Sequence, residues 1–374
     1  MTRVLFVLGL FLTGCGGPQQ PPAIFLGHIA TFSGADARPG KSAEHAIRIA
    51  LEELGPDASK ALADRPLVVR HVDSFGSLDN MDSEAARLVS INKVVGLLGG
   101  LTKDEALRLD RSRVPVLAAT GFRTSAMSEL LFTTGLAPSF QGQVLAQFLV
   151  EESPAGGTLI VDPRREESLV LAENFHRAWH NAWQSKDSKN EPPRWREISL
   201  PKDVKHAEWA GVVTKEEPKT IVFAGSAADF EALRKAWGSK APRLVFAGDD
   251  GSWTPPEPRL EQPVFVATAF ALGKEPGKGH EFAKKFRAAS GMDPDVHAAL
   301  AYDNLRLVAE ALKKTQPLPP PPEKLREELL KLQDFPGLTG PLAFGRDQHL
   351  RRPVFVATID GASRTPVAVK AFNP

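Results

Sequence analysis

Cysteine is nearly absent from this chain of 374 residues: there is one, Cys15. A single thiol excludes a disulfide framework and any cysteine-built metal cluster. Net charge is nearly absent as well. Lys and Arg number 46 against 45 Asp and Glu, so no overall field favours a nucleic-acid backbone or an anionic bilayer surface. Neither G-x-S-x-G nor G-x-G-x-x-G occurs, which leaves a hydrolase elbow and a dinucleotide fingerprint without support. The stretch Gly34 to Ser42, GADARPGKS, comes near a phosphate-binding loop, but five residues separate Gly34 from Gly40. That is one too many for backbone amides to wrap a phosphate in register. His176 and His180 stand one helical turn apart, a spacing able to hold zinc, yet only Glu173 offers a third ligand nearby. The expectation is a non-enzymatic protein without metal or cofactor and without a nucleic-acid partner.

What is present is ordinary globular composition, 42% hydrophobic and 24% charged, at a length that suits two domains. The single cysteine is informative by position. Arg3 precedes an apolar run, Val4 to Leu12, and Leu12-Thr13-Gly14-Cys15 follows. A basic start, a short apolar stretch and small residues make an export signal, and the run is too short for a permanent membrane span. Leu12 to Cys15 also resembles the bacterial lipobox, in which the cysteine is lipidated and becomes the mature N-terminus. On this reading residues 1–15 are a lipoprotein signal, 16–23 a proline-rich tether, and Cys15 the only membrane anchor.

From Ile24 onward short apolar runs alternate with amphipathic stretches. Ile24 to Ile29, Leu67 to Val72, Val94 to Leu98 and Val114 to Ala119 read as buried strands, with helices between them. The rhythm restarts after Gln141, with strands at Thr158 to Val161, Thr220 to Phe223 and Leu244 to Phe246. Such alternation predicts α/β architecture with doubly wound parallel sheets. Between Val114 and Leu149 we expect a strand, a short helix over Ser125 to Glu129, a second strand at Leu131 to Gly135, and a helix capped by Ser139. Gln316 to Pro322 reads as a polyproline spacer.

In open α/β sheets ligands sit beyond strand C-termini. Three stretches occupy that position: Gly99-Gly100-Leu101-Thr102, Thr120 to Ser125 and Asp249-Asp250-Gly251. Each is also an ordinary strand-to-helix turn, and it is their shared position that makes them candidates. Of the two adjacent aspartates, one is expected to face the cleft and the other to cap or face water.

Other pieces of the chain bear on the same question. They are Thr31-Phe32-Ser33-Gly34, Val94-Val95-Gly96, Val114-Pro115-Val116-Leu117 and Thr133-Thr134-Gly135-Leu136 with Gln141-Gly142. Ala301-Tyr302-Asp303 and Phe335 to Phe344 close the series. In order and spacing, from Ile24 to Gly361, they resemble the substrate-binding proteins of ABC importers for branched-chain amino acids and related ligands. The resemblance implies the type I periplasmic binding fold: two α/β lobes joined by three hinge crossovers, lobe 1 being 24–135 plus 270–334 and lobe 2 being 136–269 plus 335–374. It implies a ligand site drawn from Ser33, Gly100, Thr102 and Phe122 on one lobe, with Thr124 holding an amino-acid head group. Ser226 and Asp250 join from the other lobe, Asp250 pairing with a ligand ammonium. The chain departs from the family at Gly100, where a serine is usual, and at Pro163 to Leu169, which lacks the tyrosine the family places over its ligand. The only tyrosine of the chain, Tyr302, matches a core helix position.

The function expected is therefore that of an envelope or periplasmic lipoprotein, a monomer, that captures a small amino acid, amide or carboxylate for an ABC permease. The alternative is a binding-fold lipoprotein that senses a ligand or docks another envelope protein.

Overall fold

Apolar strands of three to seven residues, most of them buried on both faces, organise two largely parallel sheets in this chain. The computed structural model describes residues 21–187, 189–255, 260, 262–359 and 365–373, with the backbone alone at 56–59 and 250. The first sheet holds β1 (Ile24–Ala30), β2 (Leu67–Asp73), β3 (Leu97–Gly99), β4 (Val116–Ala118) and β5 (Leu131–Thr133), in the order β2-β1-β3-β4-β5. Every pairing in it is parallel. Its connecting helices are α1 (Ala37–Ala61), α2 (Leu78–Ser90) and α3 (Lys103–Asp110).

The chain then passes through 134–137 into α4 (Pro138–Glu152) and builds a second unit: β6 (Gly157–Val161), α5 (Glu166–Lys186), β7 (Trp195–Ser199), α6 (His206–Thr214), β8 (Thr220–Ala224), α7 (Ala227–Trp237), β9 (Arg243–Ala247) and β10 (Val264–Thr268). It returns to the first sheet with α8 (Lys278–Ser290) and α9 (Val296–Lys314), which pack on α1, and α10 (Pro322–Leu330), which packs on α9. A small sheet of β11 (Phe335–Pro336), β12 (Pro341–Phe344) and β13 (Leu350–Arg351) carries it back. The last strands, β14 (Val354–Ile359) and β15 (Val367–Phe372), add antiparallel to β10, giving the order β15-β14-β10-β9-β8-β6-β7. The expected alternation is present in both sheets, and the chain passes between them three times.

Local expectations fare unevenly. Ser125 to Glu129 is a pair of turns, not a helix, with the Met127 amide donating to the Thr124 carbonyl. Ser139 lies inside α4, which starts at Pro138 after an uncapped Ala137. Proline suits that first position because it lacks the amide that would go unsatisfied there. The proline stretch bends over 316–319 and does not run as an extended spacer.

Two cores flank the outer faces, one under α2 and α3 and one under α6 and α7. The third is continuous from α1 and α9 through the crossovers to α4 and α5. Gly121 and Gly135 let the crossovers meet: a Cβ on Gly121 would lie 2.0 Å from the Leu136 carbonyl oxygen, and one on Gly135 2.5 Å from the Gly121 nitrogen. A buried ion pair ties the same region. Asp303 on α9 accepts from the Leu338 amide at 3.1 Å and from the Arg352 guanidinium at 3.3 Å.

Candidate functional site

A cavity of about 380 Å³ lies where C-terminal strand ends of the two sheets face each other. The first sheet contributes Leu101 and Thr102 after β3 and Thr120 and Phe122 after β4. Opposite stand Arg165 and Ser168 after β6 and Gly248, Asp249 and Ser252 after β9. Gln141 on α4 and His297 on α9 close the hinge end.

Several of the polar side chains are held by their own surroundings. Thr102 caps α3 by accepting from the Glu105 amide, and Glu105 reaches back to complete a capping box. The Thr120 hydroxyl accepts from the Phe122 amide at 3.2 Å, which leaves its proton to donate. Gln141 is buried and donates to the Ala267 carbonyl at 2.8 Å. On the other wall Asp249 ion-pairs with Arg165 and accepts from the Ala227 amide at 2.7 Å, so it both orients the guanidinium and caps α7. Helix N-termini near the cleft are therefore not equivalent. Those of α3 and α7 carry side-chain caps, whereas α5, which begins immediately after Arg165, and α4, which begins at Pro138, have none. An uncapped N-terminus beside an arginine is an attractive place for an anion. The buried Nδ1 of His297 has no hydrogen-bond partner among the described residues. Outside the cavity Lys103 bridges the mouth to Glu166 at 2.7 Å, and its ammonium sits 5.1 Å from the Phe122 ring centre. The Glu166 carboxylate holds the Lys103 pKa above the ordinary lysine value.

The sequence matches the periplasmic binding protein family over residues 23–179 and 213–364. The chain belongs to that family. Its fold is the type I periplasmic binding protein fold, and among proteins of curated function none matches the sequence. Solved structures agree in fold at low identity. The branched-chain amino acid transporter substrate-binding protein of Streptococcus pneumoniae, in complex with isoleucine, is 19% identical with a TM-score of 0.74, over 94% of this chain and 100% of that one. A branched-chain amino acid ABC transporter periplasmic ligand-binding protein from Burkholderia xenovorans gives 15% and 0.77, over 94% and 96%. A solute-binding protein from R. palustris in complex with benzoate gives 14% and 0.72, over 94% and 97%.

Within this binding-protein frame the expected residues divide. Thr102 and Phe122 line the cavity. Ser33, Gly100, Thr124 and Ser226 do not. Ser33 is exposed on the loop after β1. Thr124 accepts from the Ala126 amide at 3.3 Å within its turn, and Ser226 caps α7 while donating to Asp229 at 2.8 Å. Gly100 has φ +73°, and a Cβ there would lie 3.2 Å from the Ala106 backbone, so a serine at this position would meet strain. The side chain of Asp250 lies outside the described residues, as do residues 1–20 with Cys15. Arg165 and His297 were not anticipated as cleft residues, and of the Asp249-Asp250 turn it is Asp249 whose side chain is seen to line the cavity. The arginine sits on the turn from Pro163 to Leu169, where the resemblance would place a tyrosine, and occupies that side of the cavity with a cation. His176, whose spacing from His180 would suit zinc, faces Glu197 on β7 at 3.0 Å. Among the described residues no helix is long and apolar enough to cross a membrane, and no cluster suited to a metal ion occurs.

Proposed function

We propose that this protein captures a small carboxylate-bearing solute, an amino acid or a related acid, between its lobes and delivers it to an ABC permease outside the cytoplasm. The observation that carries the reading is Arg165 at the uncapped N-terminus of α5, facing the Thr102 and Thr120 hydroxyls across the cavity. A carboxylate placed there meets a guanidinium, free helix amides and hydroxyl donors, which favour the ionised form. The lining carboxylates Asp36, Glu167 and Asp249 oppose it unless the solute also carries a cation. The unpartnered His297 Nδ1 supports a polar ligand, because a buried polar atom without a partner is costly until something meets it. The acids named in complexes of the related structures, isoleucine and benzoate, share the carboxylate. Closure about the three crossovers would bury the bound solute, as hinged binding proteins do. Cys15 is proposed as the lipid-bearing residue that keeps the protein at the membrane.

A thermal-shift panel of amino acids, aromatic acids, amides and sugars tests this. A ligand at about a hundred times its Kd should add roughly 2.7 kcal/mol. Arg165→Met should weaken a carboxylate ligand by about 10- to 100-fold, the loss of a hydrogen bond to a charged group, and should spare the matching primary amide. No shift across the panel would favour the alternative of a docking or sensing lipoprotein, and equal loss for acid and amide would remove Arg165 from the reading. Asp250→Asn and Asp249→Asn measured beside it decide which carboxylate meets an ammonium. Loss of an amino-acid ligand in the first alone supports the pairing implied by family resemblance, and loss in the second alone assigns it to Asp249. A Cys15→Ser protein should be released from membranes or fail to mature. A processed form that stays membrane-bound would end the lipidation reading.

A further inference from the structure

A second chamber, about 630 Å³, opens beside the ligand cleft on its hinge side and shares only Phe122 and Pro138 with it. Its walls come from the loop after β4, the first crossover from Gly135 to Phe140, Val170 of α5, and the third crossover from Asp347 to Val354. The apolar part, with Leu136, Phe140 and Leu350, offers a surface for a hydrocarbon or aromatic body. The polar part is cationic, and its cations are unequally matched. Arg352 faces Asp303, and the lining carboxylate Glu166 is engaged by Lys103.

That leaves Arg123, Arg351 and the exposed Asp347. The Arg123 guanidinium donates to the Leu131 and Ser128 carbonyls and to the Gln348 side-chain oxygen, all neutral acceptors, and no carboxylate lies within ion-pair distance of it among the described residues. Burial lowers its pKa, against the pull of Asp347 and Asp110. The Arg351 side chain makes no ion pair among the described residues. His349 lines the same chamber; its Nδ1 bonds the Thr133 hydroxyl at 2.9 Å, and burial pushes its pKa to about 4, with Asp347 opposing and the arginines adding to the effect. A half-buried guanidinium satisfied by dipoles alone lacks its counter-charge, and an anion supplies it.

We propose that this hinge-side chamber binds a second small organic anion, an aromatic or aliphatic carboxylate, with its charge between Arg123 and Arg351 and its body against Phe122, Leu136 and Phe140. This site is separate from the carboxylate site proposed at Arg165 and does not depend on it. Binding of 2-naphthoate to the full folded protein by titration calorimetry, with 2-naphthamide as the neutral analogue, is the test. We expect 2-naphthoate to bind, the amide to bind at least about tenfold more weakly, and Arg351→Gln to weaken the acid by about tenfold while Arg165→Met leaves this binding unchanged. Arg123→Gln should do the same. Because Arg123 also braces its loop, the exposed Arg351 keeps the test open if that variant misfolds. No binding up to millimolar 2-naphthoate, equal affinity for acid and amide, indifference to Arg351→Gln, or loss only in Arg165→Met would overturn the assignment.

Discussion

Replacing Asp303 by asparagine is expected to cost about 3–5 kcal/mol of folding stability, the usual penalty for removing one member of a buried ion pair. Asp303 and Arg352 are 1% and 3% exposed, and neither can exchange its partner for water. Burial raises the Asp303 pKa, opposed by Arg352 and the Leu338 amide, so these partners and not solvent stand in for the lost hydration. The pair joins α9 to the third crossover, which makes it a fastening of the hinge as well as of the core. An asparagine keeps an acceptor for Leu338 but takes away the charge that faces the guanidinium. Equilibrium urea unfolding measures the loss directly. The double variant Asp303→Leu with Arg352→Met should recover much of it, because apolar replacement of both members of such a pair is often neutral or stabilising. A single variant within about 1 kcal/mol of the parent would show that the pair contributes little beyond its shape.

Stability should fall steadily as pH drops from about 6 to 4, and His28 is the main reason. Its Nδ1 lies 2.9 Å from the Nδ1 of His71, the two residues standing in register on β1 and β2. Two facing nitrogens can share one hydrogen but not hold two. Burial and then the neighbouring His71 push His28 down to about 3, and burial lowers His71 as well. Unfolded, these rings take up protons below about pH 6.5. The unfolded chain therefore binds more protons than the folded one in this window, and folding is penalised as acid is added. The His28 contribution is complete above about 6.5 and is lost toward 3, at about 1.4 kcal/mol per pH unit, and His71 acts in the same direction. His349, pushed to about 4, adds to the same slope. Urea midpoints at pH 7, 5 and 4 should follow this trend, and His28→Gln should flatten it by about one ring's share. A parent protein equally stable at pH 6 and 4, or a variant with the parent's slope, would remove His28 from the account.

Much of the fold was legible because buried parallel strands announce themselves. A run such as Thr220 to Ala224, buried throughout, has no polar face to conceal it. The strands missed are those at sheet edges. Trp195–Ser199 carries exposed Arg196 and Glu197, and Val367–Phe372 alternates exposed and half-buried positions, so neither shows a continuous apolar run. For the site, the strand-end rule located Thr102, Phe122 and the Asp249-Asp250 turn. It could not show that Arg165 meets Asp249, because 84 residues separate them and only the adjacency of β6, β8 and β9 brings them together. Nor could it show that Asp249 turns toward Arg165. It does so from a backbone at φ +41°, a conformation that spacing alone does not reveal. The His28–His71 contact was hidden for a similar reason, since it exists only in one strand register.

The Lys103–Glu166 bridge at the mouth of the cleft has a consequence for kinetics. Side chains 30% and 58% exposed sit in nearly bulk dielectric, where such a pair contributes no more than about 1 kcal/mol. If the lobes close on a solute as proposed, the bridge would slow their parting about fivefold at most, and dissolved ions act on it within a Debye length of about 8 Å at physiological ionic strength. Residence of a captured solute would then be tied to the salinity of the surrounding fluid through this bridge, whereas the buried Asp303–Arg352 fastening is shielded from it.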